Sequence, residues 1–217
     1  MLINLFEKGR GLEYLQRLLL YKGSEMKEGV HFADKETKLS IASYDGCLYS
    51  VRVEHLKASF RIPYSMLDQI CFFVNDFWHL GLSEREVDAY NICKCSNYPQ
   101  DNVILRSLYW VLCEFFEKYG NEETASEKEL AILRNALEHK YVKVHENNWE
   151  RKLQIEKDSF YHISEENLIN QTMRLLQISR EALMYLVYAI GVNESKKEKE
   201  GRAVSMNLMD YPDECKI

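Results

Sequence analysis

Proline and glycine are scarce, at 3 and 9 of 217 residues. Sandwiches and barrels need many tight turns, which those two residue types supply, so the scarcity argues for a helical chain. Tetratricopeptide or other repeat periods are not visible. No run reaches the ~20 consecutive apolar residues of a membrane span. Glu7, Lys8 and Arg10 stand where a signal peptide would carry its apolar core. The expectation is a soluble, cytoplasmic protein with no membrane partner. A net charge of −6 argues against broad nucleic-acid binding, so any RNA contact must come from a local basic patch. None of the six cysteines (Cys47, Cys71, Cys93, Cys95, Cys113, Cys215) forms a Cys-x-x-Cys pair. They read as buried free thiols in a reducing compartment. The histidines never show the i, i+4 spacing of a helical zinc site. No metal and no cofactor are expected.

What is present is helical spacing. Leu5, Leu12, Leu15, Leu18 and Leu19 place a helix over residues 2–21, weakened by Gly9 and Gly11. Residues 30–49 have no such period, and Asp45-Gly46 suggests a small hairpin of 38–42 with 47–51. Residues 1–49 therefore read as an N-terminal helical and irregular extension. The bundle occupies 50–192, and 193–217 is a charged linker and tail whose residues 204–211 are apolar enough to dock back.

Within the bundle, Leu56, Phe60, Leu67, Cys71, Val74 and Trp78 recur every three to four residues up to Gly81, a C-terminal stop. The phase continues through Pro63, which predicts one kinked helix. Its other side carries a mixed stripe of Glu54, Lys57, Arg61, Ser65, Asp68, Asn75 and His79. Such a stripe is ordinarily a solvated face; the rival reading puts it near a ligand or partner. Ser83-x-x-Glu86 and Ser126-x-x-Glu129 are capping boxes, the first opening a short helix. A helix is predicted over 101–119, and Ser164 caps a last long one over 165–190, closed by Gly191. Lys196-Lys197-Glu198-Lys199-Glu200 reads as a solvated link. The fold class is all-α: an up-and-down antiparallel bundle of four to five helices.

The segment 133–143, Leu-Arg-Asn-Ala-Leu-Glu-His-Lys-Tyr-Val-Lys, carries the chemistry. With Leu133 at zero on a helical wheel, Leu130, Leu133, Leu137, Tyr141 and Val144 fall within roughly 80° and define a core face. Asn135 and His139 lie near 200° and 240°, beside Ile132 and Val142, and Arg134 near 100° on the flank. Apolar residues on an outward face suggest a partner, which can be a second copy of the chain. Asn135 is placed to hydrogen-bond His139 and set its tautomer. Arg134 offers a planar fork for phosphate oxygens, and His139 can move a proton near neutral pH. Together they suffice for metal-free RNA cleavage by a 2′-hydroxyl. The weaker reading is a surface histidine and a chance Arg-x4-His pair.

The string Arg134-Asn135-Ala136-Leu137-Glu138-His139 resembles the Arg-polar-x3-His hallmark of the HEPN superfamily of helical domains. Residues 133–145 look like a bacterial subfamily typically found C-terminal to tetratricopeptide-type repeats. The similarity extends to Phe60-Arg61, Leu67-Asp68-Gln69-Ile70, Phe73-Val74-Asn75-Asp76 and residues 182–190. It covers the chain from residue 30 onward without the repeats, as in a fragment or a stand-alone version. The resemblance implies a bundle that dimerises with its two Arg/His motifs at the interface. It also implies a metal-independent endoribonuclease leaving 2′,3′-cyclic phosphate and 5′-hydroxyl ends, often in toxin–antitoxin or phage-defence systems. Arg134 and His139 match the catalytic pair and Asn135 the polar position, with Asp68 and Asn75 as supporting residues. Expected partners are a second copy of the chain, RNA or a nucleotide, and an antitoxin or repeat-domain protein. Because the superfamily includes inactive members, the alternative is a non-catalytic nucleotide- or protein-binding module.

Overall fold

The computed structural model describes residues 2–25, 31–36, 47–116, 125–146 and 160–201. Within them the chain runs α1 (Leu2–Glu25), α2 (Phe32–Glu36), α3 (Val51–Phe77), α4 (Ala89–Lys94), α5 (Val103–Phe116), α6 (Ala125–His139), β1 (Val142–His145), β2 (Tyr161–Ser164) and α7 (Glu165–Lys199). The architecture is a helical bundle, and among the described residues the one sheet is a two-stranded parallel pair. α3 packs between α1 and α7, α5 lies against α7, and α6 closes the bundle against α3 and α5.

Helix α3 is continuous through Pro63, as its apolar phase predicts. Ser50 caps its start by accepting from the Val53 N–H. Phe60, Leu56, Leu67 and Ile70 are essentially solvent-free along its core face. Its C-terminus comes earlier than Gly81. The helix stops at Phe77, and His79 takes the left-handed conformation (φ 51°). Asn75 stabilises that early exit: its amide donates to the Leu82 carbonyl (3.2 Å) and accepts from the Leu82 N–H (3.0 Å).

α1 is bound tightly to the bundle. A Cβ on Gly23 would come within 2.5 Å of the Leu56 side chain and 3.1 Å of its backbone nitrogen, so only glycine permits this approach. Arg52 donates to the Gly23 carbonyl (3.1 Å) and pairs with Glu165, which joins α1, α3 and α7 through one guanidinium. Asn102 likewise caps α5 at the Leu105 N–H (3.1 Å) and donates to the Ala189 carbonyl of α7 (3.0 Å).

α7 is longer than its sequence pattern indicates. It passes through Gly191 to Lys199, so the charged run is helical rather than a link. Lys197 pairs with Glu194 one turn back (2.8 Å), and Lys196 reaches Asp101 (2.5 Å). By length and composition α7 could cross a bilayer. Here its Leu168, Leu175, Ala182, Leu186 and Ala189 stripe is buried in the bundle core.

Three local expectations change. The Ser83 box closes a single turn, with Glu86 accepting from the Ser83 hydroxyl (2.6 Å), and α4 starts only at Ala89 with Asp88 as its cap. The 133–143 helix ends at His139, and the next residues enter β1. Tyr141, placed by the wheel on the core face, is 80% exposed, whereas Val142, placed outward, is half-buried against the core. Pairing Val142 with Tyr161 and Val144 with Ile163 resets the period from 3.6 to 2, which turns those side chains over. The other expected hairpin residues 38–42, the Ser126 box side chains and the 204–211 segment lie outside the described residues.

Candidate functional site

Two helices build the site. The α3 residues Phe60, Tyr64 and Asp68 recur every four positions, so they share one stripe. Leu133 and Leu137 of α6 are buried in the core, which turns the flank of α6 toward that stripe. Between the two helices lies a cleft of about 250 Å³ lined by Arg61, Tyr64, Ser65, Asp68, Arg134 and Glu138, with Phe60 and Leu137 also contributing.

Arg134 extends toward α3. Its guanidinium carbon lies 4.9 Å from the centre of the Tyr64 ring, a cation–π placement that holds the planar group at the cleft wall. One of its N–H groups donates to the Asn135 side-chain oxygen (3.1 Å). Asn135 therefore orients the arginine, rather than the histidine the wheel assigned to it. Asp68 is half-buried in the same cleft. Loss of hydration pushes its carboxyl above the usual carboxylate value, and the positive charge of Arg134 offsets this only in part.

Arg61 holds the end of the motif helix. It donates to the Leu137 carbonyl and lies 3.6 Å from Glu138. The last carbonyls of a helix have no partner within it, so a cation there completes α6 at the turn that carries His139. The Glu138 contact is open to water and contributes little by itself.

His139 is exposed as the last residue of α6 and does not line the cleft. By helical rise it stands ~7.5 Å along the axis from Arg134. The surface around it is partly apolar: Ile132 is 51% and Tyr141 80% exposed, and Phe160 packs edge-on against Tyr141 at 6.0 Å. The strands fix the chain leaving this helix. His145, fully buried on β1, is hydrogen-bonded to His162 of β2 (2.8 Å), and Leu48 donates to the Val144 carbonyl (2.7 Å).

The structure thus brings Arg134, Asn135 and Asp68 together. Asn75 lies apart, with its amide committed to Leu82. Tyr64 and the capping role of Arg61 lie outside the Arg-polar-x3-His motif. Their i, i+4 spacing to Asp68 and Ser65 on the polar stripe was the available signal. Among the described residues no group of three His, Cys, Asp or Glu side chains is placed to hold a metal ion.

No curated protein and no solved structure matches the chain. A family model described as LA2681-like HEPN matches residues 12–193, which takes in α3 to α6, most of α7 and the whole cleft. The chain belongs to the LA2681-like HEPN family.

Proposed function

We propose that the protein is a metal-independent endoribonuclease. Its 2′-hydroxyl chemistry is carried by Arg134 and His139 in a site completed by a second copy of the chain. The observation that carries this reading is the division of the motif within one monomer. Arg134 is ordered at a cleft by Tyr64 and Asn135, while His139 stands exposed about a turn and a half away, in a segment that also exposes Ile132 and Tyr141. An ordered guanidinium favours charge that builds up on a phosphoryl group, because its N–H groups need no reorganisation. An exposed histidine with Ile132 and Tyr141 beside it fits a dimer interface, where a partner would exclude water and supply the second motif. In this reading Asn135 positions the arginine, Asp68 supports the site from the same cleft, and Asn75 supports α3 from outside it. A role in toxin–antitoxin or phage defence, with an antitoxin or repeat-domain partner, goes with the family reading.

The test is incubation of the purified protein with transfer RNA and single-stranded RNA in excess chelator. Cleavage that persists and is lost in His139→Ala supports the proposal; intact RNA in every case overturns it.

One observation favours a second reading, a module that binds a nucleotide or a protein without cutting. The cleft mixes two guanidinium and two carboxylate side chains and is not a simple anion site. A thermal-shift screen separates the two, because a ligand at 100 times its Kd stabilises by about 2.7 kcal/mol.

A further inference from the structure

The cleft between α3 and α6 has its own chemical signature. A seat built for phosphate alone would be net positive, yet Arg61 and Arg134 are balanced there by Asp68 and Glu138. Arg61 and Glu138 also engage each other and the α6 terminus. That leaves Asp68 and Arg134 as the charged lining groups outside that exchange. They are near enough for Arg134 to influence the Asp68 acid, but they do not meet as an ion pair within 4.0 Å. An acceptor and a donor group therefore line one cleft without pairing with each other, next to an aromatic ring. At about 250 Å³ the cleft is smaller than the ~300–1,000 Å³ of sites for drug-sized ligands, so it suits one planar heterocycle.

The four RNA bases differ in what they offer such a pair. A carboxylate accepts through both oxygens, and a guanidinium only donates. Guanine alone presents two adjacent donors, N1–H and the N2 amino group, followed by the O6 acceptor. Adenine would bring its N1 lone pair against the carboxylate. Cytosine offers one donor group beside two acceptors, and uracil one donor between two acceptors. Proteins that recognise single-stranded RNA read these edges on splayed-out bases.

We infer that the α3/α6 cleft is a guanine-recognition subsite, in which Asp68 accepts from N1–H and the N2 amino group and a cleft-facing N–H of Arg134 donates to O6. This rests on the ribonuclease reading above and extends it: the base beside the scissile phosphate sits in the cleft of the same protomer. Asp68 is then a specificity-determining residue. Tyr64 acts through Arg134, holding the guanidinium where it reaches base and phosphate.

The experiment is calorimetric titration of the full chain with GMP, IMP, AMP, CMP and UMP, alongside mapping of cut sites on a mixed-sequence RNA in chelator. GMP is expected to bind at least ~10-fold more tightly than AMP, CMP or UMP, the discrimination a good two-point base contact supplies. IMP, which lacks the N2 amino group, loses part of that advantage without any change in the protein. In Asp68→Asn the preference for GMP falls to within ~2-fold, since one acceptor becomes a donor, and cuts lose their bias toward guanosine. Equal binding of all the nucleotides, no binding by any, or a guanine preference that survives Asp68→Asn overturns the subsite. Unbiased cleavage with no guanine preference leaves the nuclease reading standing without it. An Asp68-dependent guanine preference with no cleavage of any RNA leaves the subsite standing and removes the nuclease.

Discussion

Asp68 on α3 and Arg134 on α6 face the same cleft without closing on each other as an ion pair. Burial raises the Asp68 carboxyl above its ordinary value of 3.8, and Arg134 opposes that shift without cancelling it. The folded state therefore holds the proton more tightly than the unfolded chain does. By linkage, folding is favoured with the acid protonated, and stability falls as pH rises from 3.8 through the raised value. Asp68→Asn removes this penalty. Its melting temperature at neutral pH is expected above that of the native chain, and the gap closes as pH drops below 3.8. Thermal melts across pH check this. A gain of stability on removing a site residue is what a group retained for binding should show.

Asn75 belongs to the turn after α3. Asn75→Ala loses both hydrogen bonds to Leu82 and leaves their backbone partners to find water, at a cost of about 1–3 kcal/mol. For a domain of this size that lowers the melting temperature by ~2–4 °C per kcal/mol. If the variant folds, its affinity for nucleotides should be unchanged, which titration of the folded protein would read.

Gly23 and Gly191 should respond in opposite directions. An added methyl at Gly23 strikes the fully buried Leu56, so Gly23→Ala is expected to destabilise by ~1–3 kcal/mol. Gly191 lies inside α7 with nothing within 4 Å of its would-be Cβ, so Gly191→Ala should stabilise by ~0.5–1 kcal/mol. Urea unfolding of the two variants against the native chain decides both.

Arg134→Lys keeps the charge but loses the planar fork, the contact with the Tyr64 face and the bond to Asn135. If Arg134 stabilises a developing phosphoryl charge, cleavage should fall by ~10²-fold or more while the melting temperature moves little. Single-turnover rates on a defined RNA provide the readout.

The helices were legible because their periods are local. The apolar phase through Pro63 and the cap at Ser164 can be read within a few residues, and both stand in the structure. The end of the motif helix was not. It depends on β1 pairing with β2 across a separation that no local window contains, and that pairing turns Tyr141 outward and Val142 inward. α7 continues past Gly191 because nothing there demands a left-handed residue and the following charges pair along the helix. For the site, the motif itself gave Arg134, Asn135 and His139, and the polar stripe gave Asp68. Tyr64 was hidden because an aromatic at helical spacing reads as core until the partner helix is in place.

The most direct measurement of the central claim is the chemistry of the RNA ends. A 5′-labelled RNA incubated with the protein in excess chelator should yield fragments ending in 2′,3′-cyclic phosphate. A single 2′-deoxy substitution at a mapped cut should block that cut alone, and His139→Ala should abolish all of them. Fragments with 3′-hydroxyl ends, cleavage through a 2′-deoxy position, or undiminished cleavage by His139→Ala would contradict a 2′-hydroxyl attack carried by Arg134 and His139.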